Sequence, residues 1–319
     1  MVGRRSNSVY PTMYPDQAIP QYSSRILTCA SLRPKKADPE HEGDLLKDVT
    51  SRLAQLPAFH PTALRLLTVS TESQTALEDF EECFRSDPAL ASELLITANS
   101  AEFGLRAEVE SIRHALALLG LERVSSLAFT IAMKFYMRNT PRRQVIHPVW
   151  SHSVASGIIS ETLGDAFHNP LRSLYTAGLL HEIGRLGLLM SEGGTYEVLL
   201  THFHENLEDA NAREAAVMGV THAEAGALMS EIWGIPASVC ESVRHHHDAS
   251  EEGDHSRLPG LVRVACRFAS ALGYPEQNFR QHESLEAVLA TLPPDVRENP
   301  VLAPERVTES IRRMLASVW

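Results

Sequence analysis

Cysteine, aromatic residues and positive charge are all scarce in this sequence. Four cysteines (Cys29, Cys83, Cys240 and Cys266) are spread through 319 residues, with no Cys-x-x-Cys pair. That spacing excludes a disulfide framework and an all-cysteine zinc site, and it suits a reducing compartment. No apolar run approaches the roughly 20 residues of a membrane span. Arg4 and Arg5 are not followed by an apolar stretch, so no secretory signal is read and a cytoplasmic location is expected. Lys and Arg number 29 against 40 Asp and Glu, a net charge of −11. Phosphate backbones are bound by a local excess of Lys and Arg, so nucleic acid is not an expected partner. Runs of alternating apolar residues bounded by hairpin turns are also missing, which argues against a sheet.

What the chain does have is aliphatic helix and histidine. Hydrophobic residues make up 44% and histidines number 15. Residues 1–43 carry scattered prolines and no apolar period, and read as a flexible tail in which Ser24 to Ser31 could pack as an arm. From Asp44 the apolar spacing is helical, beginning with Leu45, Leu46, Val49 and Leu53, and Leu56-Pro57 breaks it. Asp87-Pro88 is a helix start, Asp as cap and Pro at the first position. A helix over Ser111–Leu119 ends at Gly120, and a longer one follows. Pro141 closes this half, and Pro148 is read as the restart. Further helices are expected near 149–164, 171–190, 194–206, 221–233, 236–247, 258–272, 283–292 and 304–317. The expected fold is all-α and two-lobed: a tail over 1–43, an N-terminal lobe over 44–142, a second lobe over 143–275 and a C-terminal extension over 276–319.

Four places could carry chemistry. His181-Glu182-Ile183-Gly184-Arg185 is not a zinc-protease helix, because Arg185 stands where the second histidine would be needed. The apolar residues around it bury the His181-Glu182 pair, and such a pair must be ion-paired, hydrogen-bonded or metal-bound. His152 lies at the start of an apolar helix. His222 lies on a small-residue face with Ala223, Gly226 and Ala227. His245-His246-His247-Asp248 ends a helix, where the helix dipole already favours histidine. Taken singly, each histidine is more simply a hydrogen-bonded core residue than a ligand.

Taken in order, these segments resemble the HD superfamily of metal-dependent phosphohydrolases, and most closely its HDOD branch (HD-related output domain) of bacterial signalling proteins. The segments are Leu56-Pro57, Ser86-Asp87-Pro88-Ala89-Leu90, Ala98-Asn99-Ser100, Ala115 to Gly120, and Trp150-Ser151-His152-Ser153. Ala177 to Gly184, Thr221 to Gly226 and His246-His247-Asp248 complete the series. The resemblance covers about residues 50 to 250. It implies an N-terminal helical subdomain packed on an HD-like one. Residue by residue it makes His152 the first metal ligand and His181 the histidine of the His-Asp pair. It makes His222, His246 and His247 the further ligands of two-metal relatives.

The departures fall on the carboxylates. Glu182 replaces the Asp of the pair, and Cys266, after Val264-Ala265, replaces the later Asp. A soft sulfur in place of a carboxylate disfavours Mg²⁺ and Mn²⁺. Arg185 replaces a Lys common in active relatives; it can grip a phosphate but cannot serve as a general acid. No Gly-Tyr-Pro follows His247-Asp248. The resemblance therefore implies a catalytically degenerate, stand-alone output or regulatory module. Its partners would be other signalling proteins: a sensor kinase, a response regulator or a cyclic-dinucleotide signalling enzyme. No cofactor is required, although Mn, Fe, Zn or Mg becomes the candidate if the site survives. Two alternatives stay open: a metal-dependent phosphohydrolase acting on a nucleotide or cyclic dinucleotide, and a sensor that holds a small phosphate-containing ligand through Arg185.

Overall fold

The computed structural model describes residues 39–69, 73–100, 108–138, 143–169, 173–248 and 253–318. The expected tail, up to residue 38, and its Ser24–Ser31 arm lie outside the described residues. The described chain is almost entirely helical, an all-α HD-like fold. Helix α1 (Pro39–Ala54) begins before the expected Asp44 and ends just ahead of Leu56-Pro57. Helices α2 (Pro61–Thr68), α3 (Ala76–Arg85), α4 (Pro88–Ala98), α5 (Ile112–Leu119) and α6 (Leu121–Arg138) follow. The Asp87 start acts as read, and Ser111, expected as the first residue of its helix, caps it instead. The Asp87 carboxylate accepts from the Leu90 N–H at 3.0 Å, and the Ser111 hydroxyl accepts from the His114 N–H at 3.1 Å. Gly120 ends α5 at φ 83°, where a side chain would be strained.

The second half holds α7 (Arg143–Ala166), α8 (Leu174–Leu180), α9 (Ile183–Glu192), α10 (Gly194–Thr201), α11 (Leu207–Met218), α12 (His222–Ile232), α13 (Ala237–His245) and α14 (Leu258–Ala271). After them come α15 (Leu285–Ala290), α16 (Pro294–Arg297), a 3₁₀ turn at Pro300–Leu302 and α17 (Pro304–Val318), which packs on α7. Residues Phe203–His204 (β1) and Asn278–Phe279 (β2) pair in parallel and tie the loop after α10 to the loop after α14.

Three expectations are corrected. Pro148 does not start a helix: α7 runs through it from Arg143. The expected helix over 171–190 is broken at His181-Glu182, and α8 and α9 are separate. The reason is local. The His181 ring takes the carbonyl of Gly178 at 2.6 Å through Nδ1, and so competes for an acceptor of the helix ladder. Finally, α2, α3 and α11 were not anticipated, because their apolar periods are short. Helix α11 buries a charged residue, Glu214, amid its apolar positions.

Two close approaches bring the central helices together. A Cβ on Gly184 would stand 1.9 Å from the carbonyl oxygen of His222, so α9 meets α12 backbone to backbone. A Cβ on Gly178 would stand 2.5 Å from the carbonyl oxygen of Ser156, so α8 meets α7 in the same way. Helix α1 lies on α9 and α12 and pairs Arg52 with Glu192, Nε to Oε1 at 2.8 Å. Phe59 stacks on Phe129 of α6 at 5.7 Å and on Trp233, after α12, at 5.5 Å.

Candidate metal centre

The two glycine contacts converge the histidines. His152 lies on α7, His181 and Glu182 in the break between α8 and α9, His222 at the first turn of α12, and His246 and His247 in the turn after α13. Cys266 comes from α14. His152, His181, His222 and His246 are fully buried and Glu182 is 1% exposed. The donor atoms form two groups, each with every pair within 4.8 Å: His152, His181, Glu182 and Cys266; and Glu182, His222, His246 and His247. Glu182 belongs to both.

Hydrogen bonds set the direction of the rings. A backbone carbonyl can only accept, so the ring nitrogen facing it carries a proton. His152 Nδ1 donates to the carbonyl of Tyr274 at 2.7 Å. His181 Nδ1 donates to that of Gly178 at 2.6 Å, and His246 Nδ1 to that of Val243 at 2.7 Å. His222 Nδ1 donates to Glu214 Oε2 at 2.7 Å. With Nδ1 committed to these acceptors, Nε2 is the ring atom left to serve as a ligand, and these atoms face inward. The Nε2 atoms of His152 and His181 are 3.1 Å apart, and those of His222 and His247 are 3.0 Å apart. This is the arrangement of metal-binding histidines, backed by carbonyls and carboxylates that fix the tautomer.

Glu182 Oε1 has no hydrogen-bond partner among the described residues, and neither has His246 Nε2. Oε1 lies 3.7 Å from His181 Nε2 and 3.6 Å from His246 Nε2. Its other oxygen is taken by the Arg185 guanidinium. Burial by itself would raise the Glu182 carboxyl, but Arg185 and then His222 outweigh it and hold the group well below the usual carboxylate range. Burial, with the neighbouring rings, pushes His181 and His247 well down and His246 down, so these rings are neutral at pH 7. Burial also raises the Cys266 thiol, and Glu276 and Glu182 raise it further.

Arg185, read from sequence as a phosphate grip, is itself fully buried. Besides Glu182 it reaches Glu214 Oε1 at 3.4 Å and His222 Nε2 at 3.5 Å. Two further residues, Glu214 and Glu276, were missed in the sequence. Glu214 accepts from the His222 backbone at 2.6 Å and from the Tyr196 hydroxyl at 2.5 Å. Burial alone would raise its carboxyl, but His222 and Arg185 bring it down to about 2. Glu276 lies 3.5 Å behind His152 Nδ1 and accepts from the Ser270 hydroxyl at 3.0 Å. Its only sequence signal is an acid beside a predicted helix end. The cluster's donors fit a divalent ion: unpartnered buried atoms and inward Nε2 atoms gather in two groups that share Glu182.

Comparison with known proteins agrees with this architecture. An uncharacterized protein of Treponema pallidum (strain Nichols) is 24% identical over 212 residues, which is 64% of this chain and 40% of that protein. The chain thus spans less than half the length of that relative. Among solved structures, an HDOD domain protein with unknown function from Geobacter sulfurreducens superposes with a TM-score of 0.63 at 21% identity, over 88% of this chain and 90% of its own. A candidate metal-dependent phosphohydrolase from Shewanella amazonensis SB2B gives 0.59 at 21%, over 88% and 99%. At these identities the likeness is one of fold. Among the described residues no single helix is long and apolar enough to cross a membrane. The model of the HDOD domain matches residues 56–249, more than half of the sequence, and the chain belongs to the HDOD domain family.

Proposed function

We propose that this chain is a regulatory HDOD module of a bacterial signalling system and does not hydrolyse phosphate esters. One observation carries the reading. Glu182, the carboxylate shared by both donor groups, is clamped by Arg185 inside a cluster in which His152, His181, His222 and His246 are fully buried. A phosphohydrolase needs its ion open to a substrate oxygen and to a nucleophilic water. Here Cys266 supplies sulfur where a carboxylate would favour a hard ion. His152, His181, Glu182 and Cys266 would hold a divalent ion, and such an ion would supply Lewis acidity where substrate could reach it. The module would act in the cytoplasm through contacts with a sensor kinase, a response regulator or a cyclic-dinucleotide enzyme.

The test is a hydrolysis assay of the full chain, supplied in turn with Mn²⁺, Fe²⁺, Mg²⁺ and Zn²⁺. Substrates are nucleotides, cyclic dinucleotides and a simple aryl phosphate. The expected rate equals that of metal alone. Turnover that His181→Ala abolishes would overturn the reading. It would favour the second reading, a surviving phosphohydrolase, for which the inward-facing Nε2 atoms speak.

A further inference from the structure

The two donor groups differ in what already neutralises them. In the group of His222, Nε2 already has protein groups within hydrogen-bond distance. Arg185 Nη2 is 3.5 Å away and His247 Nε2 is 3.0 Å away. A permanent guanidinium charge stands beside that group and against Glu182. A second metal ion would have to enter against a cation that cannot lose its proton.

The group of His152 is different. With both Nδ1 protons spent on carbonyls, the Nε2 atoms of His152 and His181 face each other at 3.1 Å, and the Ser156 hydroxyl, 3.4 Å from His152 Nε2, brings an uncharged donor and no fixed cation. Glu182 Oε1, without a hydrogen-bond partner, lies between the groups, 3.7 Å from His181 Nε2 and 3.6 Å from His246 Nε2, and the Cys266 sulfur completes a set of four within 4.8 Å. Zinc holds nitrogen and oxygen at about 2.0–2.2 Å and sulfur at about 2.3 Å, so tetrahedral donors stand roughly 3.3–3.7 Å apart. The four donors, all within 4.8 Å and with the two Nε2 atoms already 3.1 Å apart, stand near that spacing. Two imidazoles, a carboxylate oxygen and a cysteine sulfur, which gives up its proton to solvent as the ion binds, make a borderline-soft set. Such a set selects zinc over magnesium or manganese.

We propose that the chain holds a single thiophilic divalent ion, zinc, on His152, His181, Glu182 and Cys266, and that the Arg185 guanidinium occupies the electrostatic place of a second ion. The module is then mononuclear by construction, and its ion braces α7, α8 and α14 from inside.

Cobalt reads the sulfur directly. Stripped full-length protein is titrated with Co²⁺ and then with Zn²⁺, following the absorption spectrum and the metal bound per chain. The expected result is one ion per chain, tetrahedral visible bands and a near-ultraviolet thiolate-to-cobalt band, all lost when zinc displaces cobalt. Cys266→Ser abolishes the near-ultraviolet band. It weakens zinc binding by at least the roughly 10–100-fold that the outer partners of a ligand already command. Arg185→Gln raises the stoichiometry from one to two. Failure of the wild-type protein to take up either metal overturns the proposal, as does a cobalt complex with no thiolate band; both are read on the wild type, whether or not the variants fold. Two ions bound by the wild type, or one by a folded Arg185→Gln variant, overturns the role given to Arg185.

Discussion

Gly184 lies so close to His222 that a methyl group on it would stand 1.9 Å from the His222 carbonyl oxygen. The contact joins α9 to α12 and carries the His222 ring to the Glu182 side of the cluster. Gly184→Ala must push the two helices apart. Overpacking in a core costs about 1–3 kcal/mol, occasionally more. Denaturant unfolding is expected to show a loss of that size. A stability within error of wild type would mean that the helices are free to separate.

Glu214 contributes to the acid stability. Its carboxyl sits at about 2 in the folded chain against an ordinary 4.5. The folded state therefore binds this proton more weakly, and the stabilisation is complete above about pH 4.5 and lost as the pH falls through that value towards 2. At about 1.4 kcal/mol per pH unit the window is worth about 3 kcal/mol. In Glu214→Gln, unfolding free energy measured across pH 2–5 should lose much of this slope. At pH 7 the variant should be less stable by about 3–5 kcal/mol, because Arg185 loses a buried counter-charge. An unchanged slope would assign the acid lability to other groups.

Asp87 caps α4 and also accepts from the Thr62 hydroxyl at 2.8 Å, which ties α2 to α4. Asp87→Ala is expected to cost about 1–2 kcal/mol in a thermal or denaturant melt. Asp87→Asn, which keeps an acceptor for the Leu90 N–H, should recover most of it. Equal losses in the two variants would show that the cap contributes little.

Phe59 is fully buried and stacks on both Phe129 and Trp233, so it bridges an early helix of the chain and the end of α12. Phe59→Ala should cost about 3–5 kcal/mol. Unfolding followed by circular dichroism and by tryptophan fluorescence should stay coincident. Two separated transitions would mean that the early helices and the HD-like helices unfold independently.

Much of this was legible locally. The Asp87-Pro88 start and the Gly120 stop depend on interactions within a few residues, and the aliphatic period with few strand signals marks an all-α chain. The order of His152, His181, His222, His246 and His247 is written in the sequence too, and points to the family. The break at His181-Glu182 was not legible, because it turns on which donor wins the Gly178 carbonyl. Helix α11 was not read either, and Glu214 was missed with it. Only the tertiary structure decided that Cys266 faces the cluster, that Arg185 is committed to Glu182 and Glu214, and that Glu276 stands behind His152. These relations join helices far apart in sequence across two glycine contacts. No local propensity encodes a distance of closest approach; it emerges when backbones meet where a side chain would not fit.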